Sequence, residues 1–457
     1  MSEQTAKQPT HAYQHLLQNL PEDWDRKEIR ELGKVVGGGT PSRDVPSFWR
    51  GAIPWVTPGE VSRTITKRLY DSNEHISASG LAGSGASLLP AGSLMVTTRA
   101  TLGARAINSV PMTTNQGFKS IVFKHEADSD FYLHFFEKVQ PELVRRASGT
   151  TFLEISSAEF AEIEVPSPRP DEKRLITEIL DTLDTAIHET QAIIVKLKAV
   201  NQGLLHDLLT RGIDTNGELR PPHIEAPHLY KQSPLGWIPK EWDVVRVGED
   251  ADIEHGFAFP GQQFTDKEVG PTLLVPGNFH REGGLYFTTE NTKYFSGKYP
   301  QQYVLSHGDV LVVMTDLSPM TLILGRTVVL TETFKVLHNQ RIGKFRFKKD
   351  GLWDTTFFAE ALSQDSVRLK VIAEATGTTV RHTSPDRIKS CYVARPKLQE
   401  QQLAAQRITT VDAKRKFEEA KLLKLKQTKS GLTDDLLSGR VRVTPLLAKA
   451  AQQQGNA

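Results

Sequence analysis

Two stretches of the chain repeat apolar residues at every third and then fourth position, and this is the strongest pattern in the sequence. In the first, the stripe runs through Leu180, Leu183, Ile187, Thr190, Ile194, Leu197, Asn201, Leu204 and Leu208; in the second, through Ile408, Val411, Arg415, Glu418, Leu422, Leu425, Lys429, Leu432 and Leu436. Spacing of this kind predicts a long helix in each stretch, with the stripe as a coiled-coil seam. Each stretch follows an extended proline-bearing segment, 165–168 or 393–396. The residue before a proline avoids the α region, so a helix boundary is expected there. The polar seam positions match between copies, Thr190 with Glu418 and Asn201 with Lys429. Such residues weaken a seam and can fix its register.

The two stretches belong to a longer repeat. Ala147-Ser-Gly-Thr-Thr151 recurs as Ala375-Thr-Gly-Thr-Thr379, Glu172 as Glu400, Asp184 as Asp412, and Leu208-Leu-Thr210 as Leu436-Leu-Ser438, all at an offset of 228 without a gap. A repeat of this length implies two halves built alike. Leu20-Pro-Glu-Asp-Trp24 opens the first half and Ile238-Pro-Lys-Glu-Trp242 the second, at an offset of 218, so the second half carries a short insertion. The expected division is an N-terminal segment (1–19), a first globular domain (20–168), a first long helix (169–212), a proline-rich linker (213–235), a second globular domain (236–396), a second long helix (397–438) and a tail (439–457). Since each helix leads away from its own domain, the two must pair antiparallel. A helix of about 40 residues reaches about 60 Å, so the expected fold is α+β: two globular domains held apart by an antiparallel two-helix coiled coil, with a pseudo-two-fold internal repeat.

Short β-branched and aromatic runs separated by Gly, Pro and Asn fill both globular parts, which predicts short strands at 93–98, 120–123, 309–314 and 325–330. Helical patterns at 131–144 and 353–375 stand just before the Gly-Thr-Thr motifs. Strand order is not readable. The segment after Leu446 is Ala/Gln-rich without a pattern and is expected to fray.

Composition narrows the function classes. A single cysteine, Cys391, excludes a disulfide framework and fits a reducing compartment; no apolar run approaches a membrane span, and the N-terminus lacks a signal-peptide core. A cytoplasmic protein with no membrane role is therefore expected. The net charge of +2 does not by itself announce nucleic acid. Catalytic motifs are missing: Gly37-Gly-Gly-Thr40 lacks the lysine and spacing of a phosphate loop, and there is no metal-protease or amino-methyltransferase signature. No metal site is expected.

Charge distribution is more informative. No acidic residue interrupts 99–124, and Arg341, Lys344, Arg346, Lys348 and Lys349 form a second basic run. Local excess of this kind can attract phosphates, although solvated strand faces carry the same residues. Asn115-Gln116 and Asn339-Gln340 each precede a basic strand. Asn and Gln can bond adenine bidentately, or close a turn, and recurrence in both halves favours the turn. The Gly-Thr-Thr hydroxyls are open to the same two readings, phosphate contact or turn closure.

The assembled motifs resemble the specificity (S) subunits of type I restriction-modification systems. The residues that carry the likeness are Pro168 to Glu172, the Leu-Leu-Thr-Arg-Gly ending at Gly212 with Glu218-Leu-Arg220, the Leu235-Gly-Trp-Ile-Pro239 run to Trp242, and Leu436-Leu-Ser-Gly-Arg-Val-Arg442. Gly39-Thr-Pro-Ser42 with Phe48-Trp49 and Ile53-Pro-Trp55, and His255-Gly-Phe-Ala-Phe259 with Gly277-Asn278, look like openings of target-recognition domains. The resemblance implies that each globular domain reads half of a split double-stranded DNA site. It implies also that the helices set the unread spacer and dock two methyltransferase (modification) subunits, joined by motor-nuclease (restriction) subunits. S-adenosylmethionine, ATP and Mg would be used by those partners, with no cofactor on this chain and no catalytic residue of its own.

Base-reading residues vary within such a family, so the candidates rest on chemistry alone. They are loop-borne polar and aromatic residues: Thr40, Ser42, Arg43, Lys67, Arg99, Arg105, Gln116, Lys119, Thr150 and Thr151 in the first half, and His255, Phe257, Asn278, Arg281, Arg326, Arg341, Thr378, Thr379 and Arg381 in the second. Two other readings stay open, a free-standing two-domain DNA-binding regulator and a coiled-coil scaffold without DNA. Apolar residues beside the seam, Ile176, Ile179, Ile193, Val200 and Leu205, argue for further protein partners.

Overall fold

The computed structural model describes residues 8–64, 67–99, 101–148 and 153–455. The chain forms two compact units, one from residues 1–191 with 420–457 and the other from 192–419. Each of the two long helices, Pro170–Thr210 and Leu398–Leu437, is therefore shared, half to each unit.

The seam is realised at every position. All eighteen residues of the two stripes are buried or half-buried, while neighbours such as Asp181, Thr182, His188 and Glu189 are exposed. In the first unit the opening half of the first helix lies against the closing part of the second: Leu180 and Leu436 share one core, Leu432 packs on it, and Lys429 pairs with Asp184. In the second unit Leu208 and Ile408 share a core, and Asn201 Nδ2 donates to Asp412 Oδ1 at 3.4 Å. Early segments of one helix meet late segments of the other, so the pairing is antiparallel. The polar seam residues Asn201, through Nδ2, and Lys429 thus bond to the repeat-related Asp412 and Asp184, which fixes register.

Within each unit a main sheet has the same strand order. In the first it runs Gly33–Gly37, Phe118–Phe123, Leu94–Thr97, Arg105–Asn108, with Arg68–Leu69 added at the edge. In the second it runs Ala251–His255, Ile342–Phe347, Val310–Val313, Thr327–Val329. A smaller sheet stands beside each, built on Trp49–Val56 with Glu74–Ile76 and Thr113–Thr114, or on Thr272–Leu274 with Lys293–Phe295, Phe264–Thr265 and Val336–His338. The helix Asp128–Arg146 covers the first main sheet with a dense aromatic core of Phe131, Tyr132, Phe135 and Phe136. Its counterpart is broken at Gln364 into Thr355–Ser363 and Asp365–Ala373, where one helix was expected.

Both ends of the chain build the first unit. The helix Gln8–Gln18 buries Tyr13 and Leu17, and the Tyr13 hydroxyl donates to the Glu164 carbonyl at 2.6 Å. The tail, expected to fray, forms the helix Thr444–Gly455; Val443 just before it is buried and Leu447 packs on the same core. Tertiary apolar contacts outweigh the weak local pattern. No helix among the described residues is long and apolar enough to cross a membrane.

A buried glutamate at the start of each long helix closes its unit. Glu172 is fully buried and accepts from Trp24 Nε1 (3.2 Å) and from Arg442 Nε (3.1 Å) and Nη2 (2.9 Å). Glu400 accepts from Trp242 Nε1 (3.1 Å), Arg220 Nη1 (2.5 Å) and Nη2 (3.1 Å), and the Ile213 amide (2.8 Å). In both units the arginine comes from the segment that follows the partner helix. Gly212, at φ +65°, ends that helix where a Cβ would stand 2.1 Å from Glu400 Oε1 and 2.3 Å from the Trp242 ring, so only glycine fits.

Candidate nucleic-acid interface

Three loops converge at one edge of the first main sheet. The strand Gly33–Gly37 runs into Gly38 and Gly39, and the Gly39 amide donates to the Thr114 carbonyl at 2.9 Å. A Cβ on Gly38 would stand 1.8 Å from the Asn115 carbonyl oxygen, so this strand end can cross the Asn115-Gln116 turn only as glycine. The turn is closed by Asn115 itself, whose Oδ1 accepts the Gly117 amide at 2.8 Å. The third loop follows Leu94–Thr97: the Thr98 amide donates to the Gly117 carbonyl (2.8 Å), and Arg99 bridges Glu154, which exchanges reciprocal amide bonds with Ser148 at 3.0 Å.

The second unit repeats these contacts. The Phe257 amide donates to the His338 carbonyl (2.8 Å), and a Cβ on Gly256 would stand 2.3 Å from the Asn339 carbonyl. Asn339 Oδ1 accepts the Arg341 amide at 3.0 Å, and the Met314 amide donates to the Arg341 carbonyl at 3.0 Å. The hairpin here is closed by reciprocal Thr376–His382 bonds at 2.9 Å. Asn115 and Asn339 are therefore turn-closing residues, as their recurrence suggested.

Side chains displayed at these edges are the candidates for recognition. Thr40 and Gln116 are exposed and bond each other across the first crossing, with exposed Ser42 and Arg43 continuing the loop. In the second, Gln340 and Arg341 are exposed at the turn, Thr378 and Thr379 at the tip of the hairpin, and His255 at the strand end. Arg99 is half-exposed beside Glu154 (4.0 Å). Thr150 and Thr151 lie outside the described residues. Arg281 is exposed on a loop apart from the crossing.

Several expected contacts have interior work instead. Asn278 is fully buried: its Oδ1 accepts the Val275 amide (2.9 Å) and its Nδ2 donates to the Asn291 carbonyl (3.2 Å), tying two loop segments together. Arg105 is largely buried, with Nε donating to the Leu133 carbonyl at 2.5 Å and Nη2 to Glu137 at 3.4 Å, joining sheet to helix. Lys67 is half-buried facing the same helices, and burial, then Arg105 and Lys429, push its ammonium below the usual lysine range. Arg326 and Arg381 donate to carbonyls of Ser363, and of Gly377 and Ile372. Lys119 is buried near Glu154, and Phe257 packs on Phe259 and Tyr303.

The basic run after Arg341 is largely neutralised across the sheet. Lys344 pairs with Asp309 (2.7 Å), Arg346 with Glu254 (2.9 Å) and Lys348 with Asp252 (3.8 Å), partners that lie on or just before neighbouring strands and hence far off in sequence. Sequence reading missed Trp49, Trp55 and Glu74 as a group. The tryptophans were visible in the opening motif, but Glu74 carried no local signal.

On the long helices, Ile176 and Ile179 are taken up by the core of the first unit and Leu205 by that of the second, while Ile193 and Val200 stay exposed. Val195, Phe417 and Leu423 extend this exposed apolar set.

The family model described as type I restriction modification DNA specificity domain matches twice, over residues 21–199 and 239–427. The MjaIX type I restriction enzyme specificity subunit of Methanocaldococcus jannaschii is 30% identical over 247 residues, covering 53% of this chain and 55% of the relative. The MjaVIII specificity subunit of the same organism is 24% identical over 442 residues, covering 93% of this chain and 95% of the relative. Among solved structures, a type I restriction-modification S subunit from M. genitalium superposes with a TM-score of 0.57 at 13% identity, covering 92% of this chain and 96% of that one. This last likeness is one of fold.

Proposed function

The chain belongs to the family of type I restriction modification DNA specificity domains, and on that premise we propose that it is the DNA-reading subunit of a type I restriction-modification complex. Each unit reads one half of a bipartite site in double-stranded DNA. The shared helices set the spacer and dock two methyltransferase subunits, with motor-nuclease subunits completing the endonuclease. The chain supplies no catalytic group; S-adenosylmethionine, ATP and Mg belong to its partners, and the complex works in the cytoplasm.

The observation that carries this reading is the crossing built twice. Its frame is held constant, Gly38 with Gly256 and Asn115 with Asn339, while the flanking residues differ, exposed Thr40 against exposed Ala258 and half-exposed Arg99 against buried Thr315. A constant frame with variable side chains is what two readers of different half-sites need, because base edges are told apart by the donors and acceptors set against them. Exposed Val195, Phe417 and Leu423 on the helices favour a chain that works in a complex over a free-standing regulator.

Methylome sequencing of a host given this chain with its cognate methyltransferase tests the proposal. The expected outcome is a bipartite adenine-methylated motif that vanishes when the chain is deleted; an unchanged methylome refutes it. Exchanging residues 236–396 for those of a relative should alter one half of the motif only.

A further inference from the structure

Arg43 is held in a way that no surface ion pair requires. Its guanidinium carbon lies 3.7 Å from the centre of the Trp49 ring and 5.2 Å from that of Trp55. The two indoles meet edge to face at 5.1 Å, and each also pins the loop that carries the arginine: Trp55 Nε1 donates to the Gly39 carbonyl (2.9 Å) and Trp49 Nε1 to the Ser42 carbonyl (3.0 Å). Glu74 then grips the end of the fork, accepting from Nη1 at 2.5 Å and Nη2 at 2.9 Å. The arginine side chain nevertheless remains 54% exposed. A guanidinium has five N–H donors in a fixed plane, and the carboxylate occupies two at the far end. The side edge, Nε–H with the outer N–H of the adjacent nitrogen, has no partner among the described residues, and it is a second bidentate face.

The second unit holds a different pair at the same place. In the first unit Trp55 pairs with Glu74 on one side and Thr113 on the other; in the second, Leu273 pairs with Lys293 and Leu337. The strand position of Glu74 is thus filled by Lys293, which pairs with Asp266 from the preceding loop. Charge is reversed between strand and loop, and of the two indoles one is replaced by Leu273 and the other by Phe264, which stands opposite Phe295 as Trp49 stands opposite Ile76. A frame element would have been kept, as Asn115 and Asn339 are.

We propose that Arg43 is a specificity-determining residue, reading through its free edge the paired acceptors N7 and O6 of a guanine in the half-site of the first unit, with Trp49 and Glu74 as positioning residues. This rests on the DNA-reading function given above. Arginine to guanine is the bidentate pairing that the major groove favours. Rigid stacking together with an end clamp fixes the plane of the fork, which a base edge demands and a phosphate does not. It also removes most of the rotamer entropy that contact would otherwise cost.

The test uses the full chain assembled with its methyltransferase subunits. The wild-type complex gives the bipartite motif by methylome sequencing, and anisotropy titration measures binding to duplexes with each motif guanine replaced in turn. Arg43→Ala and Arg43→Lys should both abolish discrimination at one guanine of one half-site, a loss of about 5- to 150-fold in the affinity ratio, and leave the other half-site unchanged. Glu74→Gln should lose part of it. If Arg43→Lys keeps full discrimination, or if Arg43→Ala weakens all duplexes uniformly and lowers the salt slope by about one, Arg43 is a phosphate contact and the proposal falls. An unchanged motif at wild-type affinity also overturns it. A wild-type complex without a bipartite motif would instead overturn the DNA-reading function itself.

Discussion

Replacing Arg220 by alanine should destabilise the second unit far more than an ordinary ion-pair deletion. Glu400 accepts four bonds, two of them from Arg220, and both side chains are nearly buried, at 9% and 12% exposed. Loss of the guanidinium leaves the carboxylate with the Ile213 amide and the Trp242 indole as donors, and strands a charge out of water. Breaking a buried pair in this way costs about 3–5 kcal/mol, a large share of the about 5–15 kcal/mol that holds a domain folded. Adding Glu400→Gln removes the stranded charge, while its amide oxygen still accepts from both remaining donors. The double variant should therefore be more stable than Arg220→Ala alone, at a net cost of about 1–2 kcal/mol. Urea denaturation followed by hydrogen exchange at Ile213 and around Trp242 measures both. A cost under about 1 kcal/mol for the single change, or a double variant no more stable than the single, would refute the stranded-charge account.

Three further outcomes are expected. Burial, then the neighbouring Asp412, raise the Glu360 carboxyl from the usual range to about 7 against the opposing effect of Arg326. The folded state thus holds this proton more tightly than the unfolded one, and stability declines as pH rises from about 4.5 through about 7. Glu360→Gln should flatten that decline and add up to about 3 kcal/mol at pH 8, read from urea midpoints across pH 5–8; a slope equal to wild type would contradict it. Deleting residues 440–457 removes Arg442, Val443 and the helix that carries Leu447, and should speed exchange around Trp24 and Glu172 while that around Trp242 is unchanged. Removing one heptad from each long helix, residues 192–198 with 420–426, should shorten the methylated motif's spacer and leave its half-sites intact, as methylome sequencing would report.

The seam was legible because a helix writes its packing into local spacing: Leu180, Leu208, Ile408 and Leu436 are all deeply buried where the periodicity placed them. Glu172 and Glu400 stood out as repeat landmarks, yet their role depends on Arg442 and Arg220, 270 and 180 residues away, and no local pattern joins them. The candidate contacts separated for a similar reason. Thr40 and Gln116 meet through a crossing fixed by glycine, whereas Asn278 and Arg105 look identical in sequence to surface polar residues and become interior ties only through distant carbonyls. The basic run from Arg341 misled because its acids, Asp309 and Glu254, lie just before or on the neighbouring strands. Strand order was unreadable because many strands are two to four residues long, too short to show alternation.

The two units are not equivalent in time. The second is a continuous stretch of chain, 192–419, and all of it, including Glu400 and Arg220, has been made before residues 420–457 emerge. The first cannot close until Arg442 arrives to meet Glu172, 270 residues later. During translation its aromatic core waits, packed by Tyr13 and Leu17, for Leu436, Leu437 and Val443 to complete it. A chain that stops short of Arg442 is therefore expected to hold the second unit finished and the first unfinished, since domains fold as units during synthesis.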